Sequence, residues 1–188
     1  DSGGGEKFSI LGSTTGGTFA VAGNTKMIVD ANSRIFPSTG DSTTSTVFGK
    51  LAGNVLESGA GRSTLIGESA GALVDTNDDN TFIGYYAGAT ADAATTASQK
   101  NTYIGSYAGQ FMDDAVTNVG VGYHAMMGAS TGNDASDNVA LGFQALKAIT
   151  DGEKNVAVGS LAADVLATGD HNVAVGMNAL GTSTAGDY

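Results

Sequence analysis

The sequence predicts a mainly β protein with short helical turns, organised as a repeat solenoid of β-roll or β-helix type with coils of about 17 residues. Three copies of one phrase, Asn-Val-Ala-(Leu/Val)-Gly, begin at Asn138, Asn155 and Asn172. The same frame recovers eight anchor glycines, each taken as position 0 of its repeat: Gly49, Gly67, Gly84, Gly105, Gly122, Gly142, Gly159 and Gly176. Their steps of 18, 17, 21, 17, 20, 17 and 17 residues form the near-constant period that indicates a solenoid.

The first 40 residues differ from the repeats and are predicted to be a neck or linker region. Residues 1–6 are glycine-rich, as flexible linkers are. Apolar runs at Thr18–Ala22 and Lys26–Asp30, with glycine-containing turns around them, predict three or four short strands between Lys7 and Phe36. We therefore assign residues 1–40 to this region and residues 41–188 to an array of eight repeats.

The four residues before each anchor glycine predict a short strand. Position −1 is always bulky and apolar, and position −3 is threonine in the first four repeats and valine in the last four. These β-branched residues fall on one side of the pleat, so we expect them to form the buried edge. Position −4 is asparagine from Asn80 onward, and we expect these side chains to form amide ladders between coils or to cap the strand.

The residues after each glycine favour a short helix. Alanine occupies position +3 in every repeat, and positions +6 and +7 are often apolar, as in Phe111-Met112 and Val165-Leu166. The spacing +3, +6, +7 is that of a helix about two turns long. Glycines at +10, such as Gly152 and Gly169, would then end the helix in a left-handed conformation. A second short strand is the alternative.

Composition and charge exclude several classes of function. The chain has 29 glycines, one proline, no cysteine and a net charge of −11. Strong acidity argues against binding nucleic acid or an anionic bilayer. No apolar run approaches the roughly 18 residues that span a membrane, so membrane insertion is not expected. A 17-residue coil cannot enclose a core, and a solenoid this thin predicts association with identical chains.

The repeats resemble a known family. The phrase Asn-(Val/Thr)-x-(Val/Ile/Leu)-Gly-x-x-Ala-(Leu/Gly), preceded by the stretch Thr25–Ile35, resembles repeats of bacteriophage tail-fibre proteins and, more loosely, the head repeats of trimeric autotransporter adhesins. The likeness covers about residues 25–180. It implies a non-enzymatic, homotrimeric fibre at the virion surface that gives reach and host attachment. Its implied partners are a host-surface glycan or receptor and other virion proteins.

Two other functions remain open at this level. One is a bacterial cell-surface adhesin or extracellular filament subunit, and the other is a polysaccharide-degrading enzyme of tailspike type. The two histidines, His124 and His171, lie at different repeat offsets and are expected to be solvated or packed, so we predict no catalytic residue and no cofactor. Asp75, Asn77 and Asp79 form a weak calcium candidate, with a solvated turn as the alternative, because the glycine and distal glutamate of an EF-hand are missing.

Candidate receptor contacts come from aromatic residues and insertions. The longer steps place insertions at Thr90–Lys100 and Thr131–Asp137, and insertions in repeat proteins map to loops on one face that often binds partners. Exposed aromatic rings stack on sugars, although half or more of the rings here are expected to pack. The predicted receptor contacts are Tyr85, Tyr123, Asp92, Gln99 and Asp134.

Overall fold

The structure is a computed structural model that describes residues 17–21, 24–29, 35–36, 45–54, 61–73, 79–89, 98–129 and 133–186. The chain divides into two compact units, residues 1–39 and 40–188. In the first unit, β1 (Gly17–Val21), β2 (Asn24–Val29) and β3 (Ile35–Phe36) form an antiparallel sheet in that order. These strands lie where the sequence predicts short strands.

The second unit is a parallel β-solenoid with one strand per repeat, which confirms the predicted architecture. The strands are β4 (Thr46–Phe48), β5 (Thr64–Ile66), β6 (Thr81–Ile83), β7 (Thr102–Ile104), β8 (Val119–Val121), β9 (Val139–Leu141), β10 (Val156–Val158) and β11 (Val173–Val175). They follow one another in a single eight-stranded sheet, and equivalent repeat positions pair in register. We number the coils 1 to 8 after these strands.

The anchor glycines end each strand because no other residue fits there. Their φ values lie between 124° and 143°, a region that side chains with a Cβ rarely adopt. The coils also approach closely at this column. A Cβ on Gly67 would lie 2.5 Å from the carbonyl oxygen of Gly84, so any substitution would push two coils apart.

A tight turn follows each glycine, and the predicted helix is wrong. The carbonyl of Gly49 accepts a hydrogen bond from the amide of Ala52 at 3.3 Å, which closes a four-residue turn. Residues at +2 and +4, such as Leu51 with φ 58° and Leu146 with φ 49°, are left-handed. A right-handed helix cannot contain two left-handed residues within three positions. Among the residues at +1 to +7 that the structure describes, neither a helix nor the alternative second strand forms.

The glycines at +10 have a different role from the one predicted. Gly152 and Gly169 do not adopt a left-handed φ, so they are not helix stops. A Cβ on Gly152 would lie 2.6 Å from the carbonyl oxygen of Gly169, in the next coil. These glycines are therefore needed for close contact between coils.

The interior of each coil is lined by position −2, which corrects the predicted buried edge. Val47, Leu65, Phe82 and Tyr103 are almost completely buried, and the alanines at −2 in the later coils are buried too. Positions −3 and −1 point outward instead, because successive strand residues face opposite sides. The −2 column mixes large and small residues, and this hides it from a search for uniform apolar positions.

Large and small interior residues exchange places halfway along the solenoid. Coils 1 to 4 carry Val47, Leu65, Phe82 and Tyr103 at −2, with glycine at +4. Coils 5 to 8 carry glycine or alanine at −2, with Met126, Leu146, Ala163 and Leu180 at +4. A Cβ on Gly88 would lie 2.5 Å from the Phe82 ring. The large side chain at −2 of coil 3 therefore occupies space that is free because position +4 of the same coil is glycine.

The asparagines at −4 form the predicted ladder. Asn138 Oδ1 accepts hydrogen bonds from the Asn155 amide at 2.8 Å and from Asn155 Nδ2 at 3.0 Å. Asn138 Nδ2 donates to the Gly152 carbonyl at 2.8 Å. The same pattern continues to Asn172, and the asparagines from Asn80 to Asn172 are at most 1% exposed. Since every rung joins two coils, the ladder fixes their register.

Candidate ligand-contact surface

Six ring-bearing residues cluster on the outside of coils 3 to 6, at the corner directly after the anchor glycines. This aromatic corner consists of Tyr85, Tyr86, Tyr107, Tyr123, His124 and Phe143, all at positions +1 or +2. The tight turn, with its left-handed residue at +2, places these side chains at equivalent points of each coil, directly after the strand. Tyr85, Tyr123 and Phe143 are 43%, 45% and 47% exposed.

The rings of the aromatic corner contact one another across coils. Tyr123 stacks on Phe143 with ring centroids 5.7 Å apart and an angle of 11° between the planes. Tyr107 meets Tyr85 edge-on at 5.2 Å and Tyr123 edge-on at 6.4 Å. Such pairs stabilise their own arrangement by about 0.5–1.5 kcal/mol each. The corner is therefore an ordered surface in which every ring is held by a neighbour.

Two groups of the aromatic corner have altered proton affinities. A hydrogen bond with Tyr107 is the main cause that raises the pKa of Tyr85. Partial burial lowers the pKa of His124, and the Lys147 ammonium group adds to this effect. The His124 ring stacks on Tyr123 with ring centroids 3.9 Å apart, and its lowered pKa favours the uncharged imidazole there.

The structure brings together only some of the predicted receptor contacts. Tyr85 and Tyr123 are both exposed and are linked through Tyr107, in agreement with the interpretation that they share a surface. Gln99 is half-buried and pairs with Val116 in an isolated parallel bridge, so its backbone serves coil contact. Asp92 lies outside the described residues.

Asp134 belongs to a different column of the coils, among other carboxylates. Partial desolvation raises its pKa, and the charges of Asp114 and Asp151 raise it further. Asp134 is largely exposed, and it follows the aromatic corner of coil 5 by about ten residues along the chain. Asp134, the described residue of the second insertion that is predicted as a receptor contact, thus lies apart from Tyr85 and Tyr123 in the coil, although the three are predicted to form one candidate surface.

The calcium candidate is only partly described. Asp75 and Asn77 lie outside the described residues, and the Asp79 carboxylate accepts hydrogen bonds from Arg62 Nε at 2.6 Å and from Arg62 Nη2 at 3.0 Å. This pairing is the main cause that lowers the pKa of Asp79. Among the described residues, no group of three or more His, Cys, Asp or Glu side chains could hold a metal ion.

The predicted receptor contacts do not include four members of the corner: Tyr86, Tyr107, His124 and Phe143. Aligning the repeats at positions +1 and +2 would have found them, since all six rings fall in those two columns. Tyr103 is distinguished from these six rings by its position at −2 of the repeat. It is fully buried, and its ring stacks on that of Phe82 with centroids 5.2 Å apart. Position in the coil, rather than residue type, decides which rings are available to a ligand.

Two further findings concern the molecule as a whole. No helix among the described residues is long and apolar enough to cross a membrane. Comparison of the chain with protein-family models, with curated proteins and with solved structures gives no significant match.

Proposed function

We propose that this protein is a non-enzymatic structural fibre of a virion, which associates as a homotrimer and gives reach and attachment to a host surface. The observation that carries the proposal is the uninterrupted in-register stack of eight coils. At the usual strand spacing of about 4.8 Å, eight coils form a rod section roughly 35 Å long. A stack of this kind extends by adding repeats, which suits a spacer between a particle and its target.

The aromatic corner gives the proposed fibre a surface for attachment. Flat neutral rings with nearby hydroxyl groups favour the apolar faces and hydroxyl edges of sugars. The rings of Tyr85, Tyr123 and Phe143, on coils 3, 5 and 6, are about half exposed. We therefore propose that the corner contacts a host-surface glycan, which agrees with the family resemblance of the repeats.

Location and attachment are tested separately. An antiserum against residues 45–186 should label virus particles in immunogold electron microscopy, and label confined to uninfected bacterial cells would instead support a surface adhesin. Labelled protein should also bind polysaccharides from the host surface. The double substitution Tyr123→Ala/Phe143→Ala should reduce this binding at least tenfold, while Ser160→Ala, at +1 in coil 7, serves as the matched control.

The same preparation tests the enzymatic alternative. Host polysaccharide is incubated with the protein, and released oligosaccharides are measured by mass spectrometry. The proposal predicts binding without release. Release of oligosaccharides that depends on the intact protein would contradict a purely structural function.

A further inference from the structure

The outward side of the parallel sheet carries a continuous uncharged strip, which we name the apolar stripe. It consists of the sixteen side chains at −3 and −1. At −3 these are Thr46, Thr64, Thr81, Thr102, Val119, Val139, Val156 and Val173, and at −1 they are Phe48, Ile66, Ile83, Ile104, Val121, Leu141, Val158 and Val175. None is charged, and all are half-buried or exposed in the single chain. Val175 is 67% exposed and Phe48 is 65% exposed.

One edge of the stripe is lined by polar groups. Position −5 carries exposed residues in coils 2 to 8: Arg62, Asp79, Lys100, Thr117, Asp137, Lys154 and His171. Position −4, between this column and the stripe, is buried. An apolar centre with a polar margin is the arrangement of a protein–protein interface, and contiguous apolar surface of this length is uncommon on proteins that remain monomeric.

We propose that the apolar stripe is the surface through which copies of this chain associate, side by side along the solenoid axis. The inference rests on the self-association included in the proposed function, and it assigns that association to one face. A second copy suits the stripe for two reasons, which are charge and period.

Charge restricts where copies can meet, because each chain carries a net charge of −11 and two copies repel where their acidic residues face each other. The uncharged stripe is a surface on which two copies meet without that repulsion. Period favours a copy because equivalent positions pair in register through all eight coils. A parallel copy therefore matches the stripe coil by coil, whereas a partner with another repeat length falls out of phase.

Sedimentation velocity tests the assignment. The unmodified protein should sediment with three times the 18.6 kDa mass of one chain. Val121→Lys/Val158→Lys adds two charges to the stripe and should reduce the mass to that of a monomer, with an unchanged circular dichroism spectrum. Thr168→Lys/Thr182→Lys adds the same charge at exposed positions off the stripe and should leave the assembly intact. A monomeric unmodified protein, or an assembled and folded stripe variant, would overturn the proposal.

Cysteine cross-linking keeps the proposal testable if the lysine variant unfolds. The chain contains no cysteine, so Val158→Cys introduces a single thiol into the stripe, and Thr168→Cys introduces one off it. Oxidation should convert most of the stripe variant to disulfide-linked dimers and little of the control, and equal yields would contradict the assignment. If the stripe links copies but the antiserum does not label virions, the proposed function fails while this inference stands.

Discussion

Coils 1 to 4 and coils 5 to 8 share one backbone path but fill their interiors from opposite sides. In the first half the large side chain comes from the strand, as Tyr103 does at −2, and the turn supplies a glycine at +4. In the second half the strand supplies glycine or alanine, and in coil 6 Leu146 enters the interior from the turn. The −3 column changes from threonine to valine at the same boundary.

The difference teaches that either the strand or the turn can supply the large interior side chain on the same backbone path. A Cβ on Gly71 would lie 2.9 Å from the Leu65 side chain, and one on Gly88 would lie 2.5 Å from the Phe82 ring, so a larger residue at +4 of these coils requires the −2 side chain to move. In the second half Leu146 occupies the same position and is fully buried. The left-handed backbone at +4 is thus compatible with leucine, and packing decides which residue is allowed.

The largest effect on stability is expected from changing the paired interior residues at −2 and +4 of coil 4. Gly109→Leu alone would force a side chain into the Tyr103 ring, and Tyr103→Ala alone would leave a cavity that costs about 3–5 kcal/mol. The double substitution Tyr103→Ala/Gly109→Leu recreates the pair Ala140 and Leu146, so it should recover most of the lost stability. Urea unfolding of the three variants measures this coupling. A double variant no more stable than the sum of the two single changes would contradict the comparison.

A smaller difference is expected between the ladders of the two halves. Asn138→Ala removes one hydrogen bond to the Gly152 carbonyl and leaves the Asn155 amide without its acceptor, so unfolding should become easier by roughly 2–5 kcal/mol. Ser63→Ala in coil 2 removes the acceptor of one bond of 3.3 Å to the Asn80 amide and should cost about 1 kcal/mol. The two variants are compared by urea unfolding under the same conditions. If Asn138→Ala and Ser63→Ala lowered the free energy of unfolding equally, asparagine at −4 would stabilise the coils no more than serine does, which would contradict this prediction.

The smallest effect concerns His124, at the boundary between the halves. The pKa of His124 is lowered in the folded protein. Its contribution to the free energy of unfolding is therefore complete above the unfolded-state pKa of about 6.5, and it is lost as the pH falls toward the pKa of the folded state. Stability should therefore decrease as the pH is lowered below about 6.5. His124→Gln removes this dependence, and Gln144 occupies the equivalent left-handed position with φ 56°. Thermal unfolding at pH 7.5 and pH 5.5 is the measurement, and an unchanged pH difference in the variant would contradict the assignment to His124.

Particular residues show how far the sequence predicts this fold. The anchor glycines and the asparagine column are nearly invariant in the chain, so spacing alone predicts the coils and the ladder. The turns could not be predicted in the same way, because left-handed residues at +2 include Tyr107, His124 and Leu161, which carry no turn signal. The hydrogen bonds between coils hold these residues in place, as the Tyr107 amide donating to the Tyr85 carbonyl at 2.8 Å illustrates. For the candidate surface, the sequence predicts Tyr85 and Tyr123 as contact residues. It does not predict the contacts between rings, because these depend on how residues of adjacent coils are placed in the stack.

Residue-resolved hydrogen exchange tests the central claim, which is that the repeats stack as in-register coils along one axis. Amides at positions 0, +2 and +4 donate to neighbouring coils over 2.8 to 3.0 Å, so slow exchange should recur at these three positions with the repeat period through coils 2 to 7. Rapid exchange at the anchor glycines, or protection without this period, would contradict the stacked solenoid.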